Sequence, residues 1–234
     1  MVASMLAFPT LDLVALACFA GAWIVYAVSV EWTKAGQRSL NALMHRFRLI
    51  WMQEMLGREM RMVDAQIVGS LQNGTAFFAS TSLLAIGGAL ALLQATDDLL
   101  TLMRALPLGI ETSRTQWEAK VMGLAVIFVY AFFKFAWSYR LFNYVAILLG
   151  ATPPAAEKDS QRAQDHARRS ARLIESAGRH FNRGQRAFFF ALGYLGWFLG
   201  PWVLMATTAA VLAVMLRRQF FSESKRALEE TLPS

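Results

Sequence analysis

Three sets of residues in this 234-residue chain have types and spacings suited to handling ions or headgroups. Gln66, Ser70, Asn73, Ser80 and Thr81 recur at helical spacing and share one face, interrupted by Phe77. On one continuous helix from 59 to 95 they form a polar stripe through apolar sequence. Such a face suits a water-filled pore or an ion vestibule; the same side chains also serve interhelical hydrogen bonding. The second set is Lys134 and Arg140, two cations inside the apolar run VYAFFKFAWSYRLFNYVAILLGA at 129–151. Cations within a membrane helix are candidates for a polar pathway. If Trp117 marks one membrane boundary, Lys134 lies about 25 Å deeper at about 1.5 Å per residue. That is near the far edge of a hydrocarbon core about 30 Å thick, where its ammonium can snorkel to the headgroups. Arg140 then falls at or beyond the interface, beside Tyr139 and Tyr144, and one turn before Asn143 and Tyr144, which it could clamp to the rest of a bundle. The two cations point about 120° apart on a helix, so one narrow site does not use both. The third set is the ladder Arg179, Arg183 and Arg186, which can attract anions or touch anionic lipid headgroups. Its plainer use is a solvated face with ordinary loop charge.

Other chemistries lack their residues. His45, His166 and His180 lie in basic connections, not deep in an apolar run, so a pair of axial haem ligands on facing helices is not expected despite the methionines. There is no HExxH, no phosphate-binding Gly-Lys-Ser/Thr loop and no Gly-rich dinucleotide fingerprint. Glu59 and Asp64 have Arg58 and Arg61 nearby and read as partners in helix-surface ion pairs. The single cysteine, Cys18, allows no intrachain disulfide and suggests no thiolate metal site. No catalytic residue, cofactor or metal is expected.

The elements that must position these residues are membrane helices. Hydrophobic residues make up 56% of the chain and charged residues 17%, against about 25% in a soluble domain. The net charge of +7 would admit nucleic acid, but the basic residues flank apolar runs, which points to lipid headgroups instead. The opening MVASMLAFPT has no Lys or Arg and so lacks the basic start of a secretory signal; the first apolar run should persist as a span. Four segments are long enough to cross: about 11–30, 75–95, 117–139 (apolar on to Gly150) and 187–216. No linker or repeat divides them, so the expected fold is a single all-α, polytopic membrane domain.

Loop charge gives an orientation. The 31–74 connection carries Lys34, Arg38, Arg46, Arg48, Arg58 and Arg61; the 151–186 connection carries Lys158, Arg162, Arg168, Arg169, Arg172, Arg179, Arg183 and Arg186; the 96–116 connection has Arg104 and Arg114. The first two should be cytoplasmic, which puts the N-terminus outside and, with four spans, the C-terminus outside as well. The basic tail, with Arg217, Arg218, Lys225 and Arg226, argues against that last step. LGPW at 199–202 interrupts the fourth segment. A single kinked span is the expectation; a re-entrant hairpin, the alternative, would return the tail to the cytoplasm. Cytoplasmic helices are expected at about 36–74 and 158–186. In the second, Arg168, Arg172, Arg179, Arg183 and Arg186 oppose Ala163, Ala167, Ile174, Ala177, Phe181 and Phe188. In the first, Leu40, Leu43, Phe47 and Trp51 share a face. These amphipathic faces, or another subunit, should bury LFNYVAILLGA (141–151), so that the third helix extends beyond the membrane.

Three blocks carry a family resemblance: HRFRLIWMQEMLGREMRMVDAQIVGSLQNGTAFFASTSLL (45–84), KFAWSYRLFNY (134–144) and HFNRGQRAFFFALGYLGWFLGPW (180–202). Together they resemble the family catalogued as domain of unknown function 599, over about 12–216. The resemblance implies a small bacterial membrane protein with several helices and carries over no activity. The residues themselves lead to the expectation of a homo-oligomeric, channel-like protein of the bacterial inner membrane that passes small ions and meets anionic lipid headgroups. A non-catalytic scaffold or accessory subunit is the alternative, and a membrane enzyme comes third.

Overall fold

The computed structural model describes residues 8–105 and 112–229. Helix α1, Thr10–Trp32, follows Pro9. It ends where Thr33 turns extended and its hydroxyl donates to the carbonyl of Ser29. The turn after it needs a glycine: a Cβ on Gly36 would sit 2.3 Å from the carbonyl oxygen of Val30. Helix α2, Leu40–Leu56, starts on the Ser39 cap. Helix α3, Met62–Gln94, is followed by α4, Thr96–Ala105. Helix α5, Arg114–Gly150, opens with a reciprocal cap between Ser113 and Gln116. Helix α6, Gln161–Tyr194, starts on Ser160. Helices α7, Pro201–Phe220, and α8, Glu223–Glu229, complete the order. No strand occurs among the described residues.

The fold is a polytopic helical membrane protein, as expected. Four helical stretches are long and apolar enough to cross a bilayer: Thr10–Trp32, Met62–Gln94, Arg114–Gly150 and Pro201–Leu228. The fourth expected segment is corrected. Residues 187–216 are not one kinked span but the end of α6 and most of α7, packed antiparallel. Thr207 donates to the carbonyl of Gly193 at 2.7 Å, and a Cβ on Gly193 would meet Val211. Further from the turn, the Arg218 guanidinium lies 5.5 Å from the ring centre of Phe189. The reversal is local. The turn Leu195–Phe198 leads to Gly200 at φ 138°, a conformation open to glycine. Pro201 then takes the first helical position, where its missing N–H costs no hydrogen bond.

Two further boundaries differ. The helix expected over 36–74 breaks at Gly57–Arg61, because Arg61 folds back to the carbonyls of Met55, Thr152 and Pro153. The helix expected over 158–186 does not stop at Arg186; α6 runs on to Tyr194 without a break.

The core is built at three levels. Phe19, Phe128, Phe135, Phe190, Tyr194 and Leu204 fill the space between α1, α5, α6 and α7. At one end, Leu100, Trp117 and Val121 join α4 to α5. At the opposite, basic end, Met52, Met55, Leu141, Phe142, Val145 and Ile174 pack with Ala163, Ala167 and Ala171. Helix α5 has 37 residues, about 55 Å at about 1.5 Å per residue, well beyond a core of about 30 Å. One side of its last turns, Leu141, Phe142 and Val145, is buried against α2 and α6, while Tyr144 and Ile147 stay exposed, so the apolar run 141–151 is covered only in part.

Candidate functional site: a polar outer face and a basic cavity

Helix α3 presents two unlike faces. Asp64, Val68, Thr75, Ser82 and Ala89 are buried, and the Thr75 and Ser82 hydroxyls are held by the carbonyls of Leu71 and Phe78. Gln66, Ser70, Asn73 and Ser80 are exposed, and Thr81 is half-exposed. The five predicted residues therefore do share a face, and it points away from the rest of the chain. Gly74, Gly87 and Gly88 have open space where a Cβ would be, so they make no close helix contact within one copy. Thr81 satisfies itself on the carbonyl of Phe77 at 2.8 Å. Beside the stripe, Gln72 donates to Asn143 of α5 at 2.7 Å, which fixes the rotation of α3.

The other predicted residues separate into two places. Lys134 is half-buried on α5, with its Nζ 5.1 Å from the ring centre of Tyr130 and no tie to the α3 stripe. Arg140 is exposed; its Nε donates to Tyr144 at 2.7 Å, and its guanidinium rests against Trp137 at 5.8 Å. Among the described residues its partners lie on α5 itself, and none ties it to another helix.

Arg179, Arg183 and Arg186 all line one cavity of about 850 Å³ at the basic end, between the end of α1, the start of α2, the middle of α6 and the end of α7. Arg183 and Arg186 both donate to Glu31, each with one contact of 2.6 Å. Arg179 pairs with Glu175, whose other oxygen lies 3.3 Å from His45 Nδ1. The structure adds Arg48, Arg218 and Gln219 to the wall. Burial pulls the Arg48 pKa below its ordinary value, Glu175 opposes this, and Arg179 adds to it. Sequence reasoning missed these three because Arg48 reaches the α6 ladder through the packing of α2, and Arg218 and Gln219 reach it only once the hairpin is formed. The basic tail, at odds with a fourth single span, was the signal for it.

Two buried polar clusters were also missed. At the end opposite the cavity, Asp12 accepts from Trp197 Nε1 at 2.6 Å and lies 4.0 Å from Lys120 Nζ. Lys120 donates in turn to the Trp197 carbonyl at 2.9 Å. In the basic layer, Asp64 accepts from Trp51 Nε1 at 2.7 Å and from Arg58. Asp64 is fully buried, which corrects its reading as a helix-surface partner; Glu59 is exposed. His166 is engaged by the Leu148 carbonyl and Thr152. Among the described residues no group of three His, Cys, Asp or Glu side chains is placed to hold a metal ion.

The family described as "Protein of unknown function, DUF599" matches residues 14–224. The chain belongs to this family. The match takes in the whole outer face of α3 and every residue lining the cavity of this DUF599 protein, from Tyr26 to Ser224, while Asp12 lies just before it. No curated protein and no solved structure matches the chain.

Proposed function

We propose that this DUF599 protein is a homo-oligomeric, channel-like protein of the bacterial inner membrane, with the outer faces of α3 bordering a conduit for small ions. The observation that carries this reading is the exposure of Ser80, with Thr81 half-exposed beside it, in the apolar part of a helix able to cross the bilayer, in line with Asn73 on the same face nearer the basic end. Polar side chains facing hydrocarbon are unfavourable unless a partner or water satisfies them. A second copy presenting the same face, or water held between copies, supplies both, and the open glycines allow close approach. In proteoliposomes of the purified chain, Asn73→Leu should change ion flux or selectivity and leave the oligomer intact. Loss of the oligomer with no separable effect on permeation would favour plain interhelical bonding. A scaffold would use the same face on a different protein; co-purification of that protein, with no flux, would favour it.

In this reading the basic layer is cytoplasmic and the N-terminus is outside. Because the last part of α6 runs away from the basic end and α7 returns to it, they add a fifth passage, and α8 lies on the cytoplasmic side, against the even count of the sequence-based expectation. Cysteines introduced at Gln37 and Gln161, and one appended after Ser234, all in a Cys18→Ala background, should resist an impermeant thiol reagent added to intact cells. Labelling at the tail alone would overturn the hairpin as a full return; labelling at all three would reverse the orientation.

A further inference from the structure

The cavity at the basic end holds more donors than acceptors. Five arginines, Arg48, Arg179, Arg183, Arg186 and Arg218, face Glu31 and Glu175. Arg183 and Arg186 occupy Glu31, and Arg179 and His45 occupy Glu175. Among the described residues, no carboxylate pairs directly with Arg48 or Arg218; Arg218 rests on the Phe189 ring. Two donors in the wall are buried without an acceptor. Arg186 is 7% exposed and its Nε is unpartnered, and Gln219 is 8% exposed and its Nε2 is unpartnered. A buried donor left unmade is costly, so native walls seldom keep several. These donors lack an acceptor, and the surplus of positive charge over Glu31 and Glu175 favours an anion in that place.

We infer that this cavity binds a phosphate-bearing anion between Arg48, Arg186, Arg218 and Gln219. Phosphate offers several acceptor oxygens and fits the planar guanidinium fork. At about 850 Å³ the cavity lies in the range of ligand pockets, about 300–1,000 Å³, so a phosphate ester fits rather than the bare ion alone. One part of its lining is apolar, from Tyr26, Phe189 and Met215 on the side of the helical bundle. Trp32, 84% exposed, stands at its edge where α1 ends. A headgroup entering from the bilayer and a soluble phosphate ester therefore present the same chemistry to the same donors. The site lies within one copy of the chain and does not depend on how α3 is covered.

The test uses the full chain in an uncharged detergent, with thermal unfolding followed as ligand is added. Glycerol phosphate probes the soluble source and short-chain phosphatidic acid the headgroup; glycerol and short-chain phosphatidylcholine are the controls. A rise in melting temperature with either anionic probe, and with neither control, supports the site and identifies its source. Arg218→Gln and Arg48→Gln should each weaken that binding by about tenfold, the loss of one charge-assisted hydrogen bond. Arg168→Gln, on the exposed part of α6, should leave it unchanged. Arg218 is exposed, so its variant keeps the test valid if Arg48→Gln fails to fold. No shift with either probe, or unchanged affinity in Arg218→Gln, would overturn the proposal.

Discussion

Replacing Asp12 with Ala should destabilise the protein by about 3–5 kcal/mol, the usual cost of removing one partner from a buried ion pair. Asp12 is 8% exposed and Lys120 5%. Without Asp12, the Lys120 ammonium keeps, among the described residues, the Trp197 carbonyl and the face of the Trp197 ring, 5.3 Å from its centre. Trp197 also loses the acceptor for its indole N–H. The effect spreads because this cluster ties the start of α1 to α5 and to the α6–α7 turn. Removing both charges by Asp12→Asn with Lys120→Met should cost markedly less than Asp12→Ala, since no uncompensated charge remains and the amide oxygen can still accept from Trp197. Thermal unfolding of the three proteins in detergent checks the order. Equal losses in Asp12→Ala and the double variant would show that packing, not charge, dominates there.

Gly184→Ala should cost about 1–3 kcal/mol, the range for adding a methyl to a filled core. A Cβ at Gly184 would lie 2.7 Å from the Phe135 ring. Phe135 has no room to withdraw: it is fully buried, stacked on Phe78 at 5.3 Å between ring centres and edge-on to Phe181 at 5.6 Å. Alanine is otherwise better than glycine inside a helix by about 0.5–1 kcal/mol, so the clash must exceed that gain for the sign to hold. Phe135→Leu should be destabilising alone, yet in that background Gly184→Ala should cost little or stabilise. A cost that persists unchanged once the Phe135 ring is removed would place the strain in the backbone.

The legible part of this fold was whatever a single helix expresses in its own periodicity. The apolar runs, the amphipathic face of α6 and the extension of α5 into a helical layer each follow from residues three or four apart. The turn at 199–202 was harder. Proline within an apolar run signals a kink or a restart equally, and the positive φ of Gly200 decides between them. Composition also misled at α6, where Arg183 and Arg186 make the helix look soluble just before it enters the bundle. Their charges are met by Glu31, more than 150 positions earlier in the chain. Distance along the chain likewise hid Asp12 from Lys120 and Trp197. Of the candidate residues, the α3 stripe was recognisable as one face, but a sequence cannot say whether a polar face looks inward or outward. The burial of Val68, Thr75 and Ser82, and the bond from Gln72 to Asn143, settle that rotation.

The most direct test of the account is ion flux through liposomes that contain only this purified chain. The proposal predicts a conductance above that of empty liposomes, carried by an oligomer whose mass in detergent is a multiple of the protomer, and altered by Asn73→Leu. Liposomes as tight as empty ones, with protein that is folded, correctly inserted and monomeric, would contradict it.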